Sequence, residues 1–133
     1  MNIAVRYYSR SGNTKKVADY IAEATGVNAV SVDAKEAALT EKADVLFIGG
    51  ALYAYGIDDN LKKYLESLSG DQVGKAVVFS TSWISKHSID LIKKALKNKG
   101  IDVAKNYIYY KNKPSEIELK EAEEIAKKLI EEK

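Results

Sequence analysis

The sequence predicts an α/β domain in which a parallel sheet is covered by helices on both faces. Short apolar runs alternate five times with segments of helical spacing along the 133 residues. Two of the runs, at residues 44–50 and 76–80, are almost continuously apolar, which is typical of strands buried on both faces of a parallel sheet. No linker, repeat or low-complexity segment interrupts this alternation. We therefore expect one domain over residues 1–133, with right-handed crossover connections.

The first half of the chain contains three of the five predicted strands. The apolar run at 3–8 is the first, and the spacing of Val17, Ile21 and Ala24 predicts a helix over 13–25. Gly26 ends this helix. After it we predict a second strand at 29–32, a weakly helical segment at 34–42 and the third strand at 44–50.

The second half repeats the pattern. Asp58 or Asp59 caps a helix that ends near Gly70, and Gly100 closes a further helix over 89–99. Ser115 and Glu118 have the spacing of a capping box, so the last helix begins after Pro114. The remaining predicted strands are the fourth at 76–80 and the fifth at 103–110.

The loop after the first strand has the composition of an anion site. Its residues are Ser9, Arg10, Ser11, Gly12, Asn13 and Thr14. The following helix N-terminus offers unpaired N–H groups and a partial positive charge, and the loop adds hydroxyl donors and a glycine that lets the backbone approach closely. A plain turn and N-cap is the alternative interpretation. The fingerprints G-x-x-x-x-G-K-[ST] and G-x-G-x-x-G are both absent, so ATP or GTP hydrolysis and Rossmann-type dinucleotide binding lack their usual support.

Composition excludes several other classes of function. The chain has no cysteine and one histidine, His87, which rules out disulfides, thiolate metal sites, a cysteine nucleophile and a multi-histidine metal site. The formal net charge is +2, so no strong attraction to nucleic acid or to an anionic membrane follows. The longest nearly apolar stretch, at 45–57, is too short to span a bilayer, and the N-terminus lacks the layout of a signal peptide. We expect a cytoplasmic protein.

Two further loops follow the third and fourth strands and carry aromatic side chains. The first loop contains Leu52, Tyr53, Ala54, Tyr55 and Gly56, and the second contains Thr81, Ser82 and Trp83. The carboxyl ends of parallel strands meet at one edge of a sheet, so both loops should lie beside the loop at 9–14. Aromatic rings there favour a planar ligand. The alternative is that these rings only pack against neighbouring helices.

The hexapeptide at 9–14 resembles the flavodoxin signature, (S/T)-x-(S/T)-G-x-T after the first strand, and the resemblance extends over essentially the whole chain. It implies a flavodoxin-like three-layer sandwich with strand order 2-1-3-4-5. It also implies an FMN site in which side chains of Ser9, Ser11, Asn13 and Thr14 and the amides of residues 10–14 bind the phosphate. By the same likeness, Tyr53 or Tyr55 and Trp83 flank the flavin ring, and Thr81 and Ser82 lie near the ribityl chain.

The function implied by this resemblance is that of a low-potential electron carrier that cycles FMN between semiquinone and hydroquinone. A peptide flip in the loop after the third strand would assist, and Gly56 is the candidate. We expect redox partner proteins, no nucleic acid, no membrane and a monomer. The alternatives are an FMN-dependent quinone or flavin reductase and a flavin-free interaction domain.

Two features depart from the usual flavodoxin pattern, and Arg6 is unusual for its position in a strand. The chain lacks the acidic excess of typical flavodoxins, and Lys86 and His87 stand where the family often has acidic residues. We expect His87 to be an exposed loop residue. Arg6 lies inside the first strand, where a charge needs a partner, and we expect it to reach a carboxylate at the edge of the sheet.

Overall fold

The fold is a five-stranded parallel sheet, seen in a computed structural model that describes residues 1–83 and 85–131. The strands are β1 Ile3–Tyr7, β2 Ala29–Ser31, β3 Ala43–Gly49, β4 Val73–Ser82 and β5 Ile108–Lys111. The helices are α1 Asn13–Thr25, α2 Asp59–Ser67, α3 His87–Asn98 and α4 Glu116–Glu131. The strand order is β2-β1-β3-β4-β5, which confirms the predicted order.

The order of the strands reverses at β1, which pairs in parallel with both β2 and β3. Val5 lies opposite Ala29 on one side and Phe47 on the other. In an open sheet of this kind, ligands bind outside the carboxyl ends of the strands at the point of reversal. A ligand site is therefore expected at the loops that follow β1 and β3.

Two apolar clusters cover the two faces of the sheet. Helices α1 and α4 pack on one face, where Ile21 and Leu129 join Phe47 and Phe79 of the sheet. Helices α2 and α3 pack on the other face, and they bury Leu65 and Ile92 in a second cluster. Both faces of β3 and β4 are therefore buried in the central parts of these strands, which explains the apolar runs at 45–48 and 76–79. The three-layer prediction is confirmed. That residues 1–133 form one domain stays a prediction.

Four elements differ from the prediction made from the sequence. β4 starts three residues before the predicted strand and ends two residues after it, so Thr81 and Ser82 lie in the strand and not in the loop that follows it. The fifth strand starts at Ile108, because the chain pairs with β4 at the single residue Val103, where the Ala104 amide donates to the Ala76 carbonyl oxygen at 2.8 Å, and residues 105–107 then lie outside the sheet. Lys105 and Asn106, which are poor strand formers, lie exposed in that interruption. The weakly helical segment contains only a 3₁₀ turn, Lys35–Ala37. Helix α3 begins two residues early, so His87 is exposed as predicted but is the first residue of a helix.

The expectation for Arg6 was wrong about its partner. Its guanidinium donates hydrogen bonds to two backbone carbonyl oxygens, those of Ala37 at 2.8 Å and Val5 at 3.1 Å. The side chain is only partly buried, so carbonyl oxygens and solvent satisfy it without a carboxylate from the residues that the structure describes.

No helix within residues 1–83 and 85–131 is both long enough and apolar enough to cross a membrane.

Candidate functional site

The loop between β1 and α1 is held in shape by its own hydroxyl groups. The Gly12 amide donates to Ser9 Oγ at 3.0 Å, and the Asn13 amide donates to Ser11 Oγ at 3.4 Å. Gly12 is the N-cap residue of α1 and has a φ of 95°, which a residue with a side chain rarely adopts. The next two amides, of Thr14 and Lys15, lie in the first helical turn and have no acceptor within the helix. The loop therefore presents helix N–H groups to a ligand.

Thr14 connects this loop to the end of β4. Its hydroxyl oxygen lies 2.7 Å from that of Thr81, and both side chains are buried. The two residues are 67 positions apart in the sequence. This hydrogen bond fixes the start of α1 against the strand end that carries Ser82 and Trp83, so the predicted phosphate and ring regions are mechanically coupled.

The loop after β3 forms a tight turn, which we call the tyrosine turn (Tyr53–Gly56). The Tyr53 amide donates to the Gly56 carbonyl oxygen at 2.7 Å, and the Gly56 amide donates back to the Tyr53 carbonyl oxygen at 3.0 Å. The rings of Tyr53 and Tyr55 are stacked, with centroids 6.1 Å apart and an interplanar angle of 25°. Gly56 has a φ of 119°, which explains why a glycine closes this turn. Tyr53 is half-buried, whereas Tyr55 is 58% exposed.

The side chain of Arg10 joins the phosphate loop to the tyrosine turn. Its guanidinium carbon lies 3.9 Å from the ring centroid of Tyr53 and 5.5 Å from that of Tyr55. The guanidinium also donates to Asp58 Oδ2 at 2.6 and 3.1 Å and to the Tyr55 hydroxyl. Cation–π contacts and a charge-assisted hydrogen bond therefore hold the turn in place. We call these four residues, Arg10, Tyr53, Tyr55 and Asp58, the arginine clamp.

The clamp changes the ionisation of its members. Burial alone would raise the pKa of Asp58, but hydrogen bonds from Arg10 and from the Asn60 amide lower it below its usual value. The hydrogen bond to Asp58 raises the pKa of Arg10, so its charge is permanent. Burial raises the pKa of Tyr53, although the nearby Arg10 charge opposes this effect. At neutral pH the clamp therefore contains the Arg10 cation, the Asp58 anion and the neutral phenol of Tyr53.

A cavity of about 560 Å³ lies between these loops, within the range of small-molecule sites in proteins. Ten of the fourteen residues predicted for the site line it: Arg10, Ser11, Asn13, Leu52, Tyr53, Ala54, Tyr55, Thr81, Ser82 and Trp83. The other four, Ser9, Gly12, Thr14 and Gly56, shape the loops around it. Trp83 is 70% exposed, so its ring does not pack into the neighbouring helices.

Sequence reasoning missed two residues that line the cavity, Ala51 and Asn112. Asn112 follows β5 with a φ of 62°, and its amide donates to the Ser82 carbonyl oxygen at 3.1 Å. Asparagine tolerates this left-handed conformation, so the Asn-Lys-Pro sequence was a usable turn signal. The role of the Arg10 side chain was also missed, because its partner Asp58 is 48 positions away.

A second cavity, of about 360 Å³, shares residues 52–55 with the first. Gly56, His87 and Leu91 complete its lining. Gly56 therefore lies beside this second cavity and outside the lining of the first. The predicted peptide flip at Gly56 stays a prediction, and it would have to break the hydrogen bond from the Tyr53 amide.

Comparison with known proteins settles the family. The family model described as a flavodoxin domain matches residues 4–118. The chain belongs to the flavodoxin family. This flavodoxin domain superposes on oxidised flavodoxin 1 from Bacillus cereus with a TM-score of 0.83 and 19% identity, covering 100% of this chain and 99% of that one. A flavodoxin from the domain Archaea gives a TM-score of 0.75 and 23% identity, with coverage of 98% and 97%.

The same fold also occurs within larger proteins. Rubredoxin oxygen:oxidoreductase from Desulfovibrio gigas matches with a TM-score of 0.81 and 19% identity. The match covers 95% of this chain but only 34% of that protein, so the flavodoxin domain spans about a third of its length. A search of curated protein sequences gave no significant match. At these identities the structural likenesses show a shared fold.

Proposed function

We propose that this flavodoxin domain binds FMN in the cavity between the three loops and carries single electrons to and from redox partner proteins. Flavodoxin-like proteins bind a flavin, generally FMN. The observation that supports the proposal most strongly is the position of the helix amides, since they adjoin an aromatic cavity at the point where the strand order reverses. A dianion and a planar ring need these two features side by side.

The phosphate would bind at the start of α1. The free amides of Thr14 and Lys15 and the hydroxyls of Ser9 and Ser11 are the donors that the loop offers. A hydrogen bond to a charged group contributes about 1.5–3 kcal/mol, so two such bonds favour FMN over riboflavin by about 3 kcal/mol or more. That difference corresponds to a factor of about 100 in affinity.

The flavin ring would lie between the tyrosine turn and Trp83. Arg10 already covers part of the half-buried Tyr53 ring, whereas the Tyr55 ring is the more exposed of the two. We therefore assign Tyr55 and Trp83 as the flanking rings. Offset stacking adds about 0.5–1.5 kcal/mol per aromatic pair beyond the burial of area.

The cavity favours an electron carrier over a reductase. FMN supplies the redox chemistry when it is bound, and the protein supplies its orientation and electrostatic environment. Among the residues that the structure describes, those that line the cavity include no histidine, aspartate or glutamate, which are the usual proton donors and acceptors near neutral pH. Arg10 places a fixed positive charge in the lining.

Titrations of the chain with FMN and with riboflavin, monitored by flavin fluorescence, test the proposal. We expect FMN to bind at least tenfold more tightly than riboflavin. Ser11→Ala should reduce this ratio, because it loosens the phosphate loop, whereas Trp83→Ala should weaken both ligands and leave the ratio unchanged. Equal affinity of the unaltered chain for both flavins would refute the phosphate site.

A second measurement separates the carrier from the reductase. The FMN-loaded chain should exchange electrons with a one-electron donor without sustained oxidation of NADH or NADPH. Rapid turnover of either nucleotide in the presence of a quinone would favour the enzyme instead.

A further inference from the structure

The charges of this chain are strongly segregated, although the net charge is small. Residues 86–113 contain eight lysines and two carboxylates, whereas the rest of the chain contains thirteen basic and seventeen acidic residues. The segment 86–113 is therefore strongly basic, and the rest of the chain is moderately acidic. A charge distribution of this kind orients an approaching charged protein.

The fold gathers part of the basic segment into one surface. We call it the lysine–tyrosine patch, and it consists of Lys86, Lys93, Lys105, Tyr107 and Tyr109. The ammonium nitrogen of Lys86 lies 5.5 and 5.7 Å from the ring centroids of Tyr107 and Tyr109. That of Lys93 lies 5.1 Å from the Tyr107 ring and donates to the Lys105 carbonyl oxygen at 3.0 Å. The tyrosine rings therefore hold two ammonium groups at defined positions.

The positive charge of the patch is not neutralised within the described part of the chain. The ion pairs there join Arg10 to Asp58, Lys15 to Asp19 and Lys127 to Glu124, and none involves a lysine of the patch. Asp90 lies on α3 between Lys86 and Lys93 in sequence and reduces the local charge by one unit. The patch remains basic after this correction.

The patch is continuous with the edge of the flavin cavity. The Tyr109 hydroxyl donates to the Ser82 carbonyl oxygen at 2.9 Å, and Ser82 lines the cavity. Lys111 lies opposite Ser82 in the pairing of β4 with β5, and the exposed Trp83 follows directly. A protein seated on the patch would therefore stand next to the ligand site.

We propose that the lysine–tyrosine patch is the docking surface for an acidic electron-transfer protein. The proposal rests on the proposed electron-carrier function, and it reverses the charge expected for a typical flavodoxin surface. Nucleic acid is the less suitable occupant, because the lysines cover the tyrosine rings on which bases would stack. Charges on a docking rim act mainly on the rate of association and are screened by salt.

Electron-transfer kinetics of the FMN-loaded chain provide the test. One probe is a reduced plant-type [2Fe–2S] ferredoxin with a strongly negative net charge, which donates one electron to the oxidised FMN-loaded chain. The matched probe is an oxidised cytochrome c with a positive net charge, which accepts one electron from the reduced FMN-loaded chain. With the ferredoxin, the bimolecular rate should fall at least tenfold between about 10 mM and about 0.3 M salt, because the Debye length shortens from about 30 Å to below 8 Å. With the cytochrome, the rate should rise or stay level. The opposite pattern would overturn the proposal.

Two variants of equal charge change locate the effect. Lys86→Glu combined with Lys93→Glu should slow the reaction with ferredoxin at low salt at least tenfold. Lys62→Glu combined with Lys63→Glu alters two exposed lysines of α2 and should change the rate less than twofold. Equal slowing by the two pairs would show that only total charge matters and would refute the patch.

Binding without electron transfer keeps the two proposals separable. Calorimetric titration of the flavin-free chain with the same ferredoxin should show binding that weakens at least tenfold in the Lys86/Lys93 variant. If FMN fails to bind, the proposed function fails while this titration still tests the surface. No detectable ferredoxin binding, or tighter binding of a short single-stranded DNA, would overturn the docking proposal.

Discussion

Asp58 performs two tasks that conservative substitution can separate. Its side chain accepts a hydrogen bond from the Asn60 amide at 2.8 Å, which caps α2, and it pairs with Arg10 in the arginine clamp. Asp58→Asn keeps a capping oxygen but removes the negative charge, whereas Asp58→Ala removes both. The two variants therefore measure the ion pair and the cap separately.

Loss of the helix cap should make the fall in Tm larger for Asp58→Ala than for Asp58→Asn. Loss of an N-cap costs about 0.5–2 kcal/mol. For 133 residues, an unfolding entropy of about 2.1 cal/mol/K per residue converts this cost to a fall in Tm of about 2–7 °C for Asp58→Ala. Asp58→Asn should lower Tm by less at pH 7, because the guanidinium of Arg10 is 45% exposed and is rehydrated when it loses its partner.

The dependence on pH identifies the ion pair. The pKa of Asp58 is lowered in the folded protein, so its contribution to stability is complete above the pKa of the unfolded chain and is lost as pH falls through the folded value. The difference in Tm between the unaltered chain and Asp58→Asn should therefore shrink between pH 7 and pH 3. Asp59→Asn, at an exposed neighbouring position, is the matched control and should show no comparable loss.

Thermal unfolding followed by circular dichroism measures these shifts, and FMN affinity provides a second readout. Asp58→Asn should weaken FMN binding, since Arg10 then no longer fixes the tyrosine turn against the phosphate loop. A variant as stable as the unaltered chain at both pH values, with unchanged FMN affinity, would refute the role assigned to the clamp.

Two further predictions concern the packing beneath the site. Gly49→Ala should lower the free energy of unfolding by about 1–3 kcal/mol or more, because the added Cβ would lie 2.3 Å from the Phe79 carbonyl oxygen. Urea titration measures the loss, and an unchanged midpoint would contradict the close approach of β3 and β4. Thr81→Val should cost about 1–3 kcal/mol by leaving the buried Thr14 hydroxyl unpaired. Adding Thr14→Val should recover part of this loss, and strictly additive losses in the double variant would argue against the hydrogen bond.

The parts of the fold that the sequence predicts correctly are those governed by local pattern. β3 and β4 are recognisable because burial on both faces favours the apolar runs at 45–48 and 76–79 in their central parts. β5 is less predictable, since Val103 pairs with Ala76 of β4 at a single position and the strand begins only at Ile108. Lys105 and Asn106 are poor strand formers and hint at that interruption, but where pairing with β4 resumes depends on the tertiary geometry.

The site also has parts that the sequence predicts and parts that it does not. Its loops are predictable, because the topology brings the carboxyl ends of β1, β3 and β4 to one edge. The side-chain contact of Arg10 with Asp58 is not, because nothing local connects residues that far apart. Arg6 shows the same limit: its charge is visible in the sequence, but its backbone acceptor at Ala37 is not.

The hydroxyls of Ser9 and Ser11 already bond two loop amides before any anion arrives. A cradle assembled in advance loses little conformational freedom when it is filled, so capture should require no slow rearrangement of this segment. Variation in affinity among related ligands should then appear chiefly as differences in how long each one stays, with similar rates of entry for all of them.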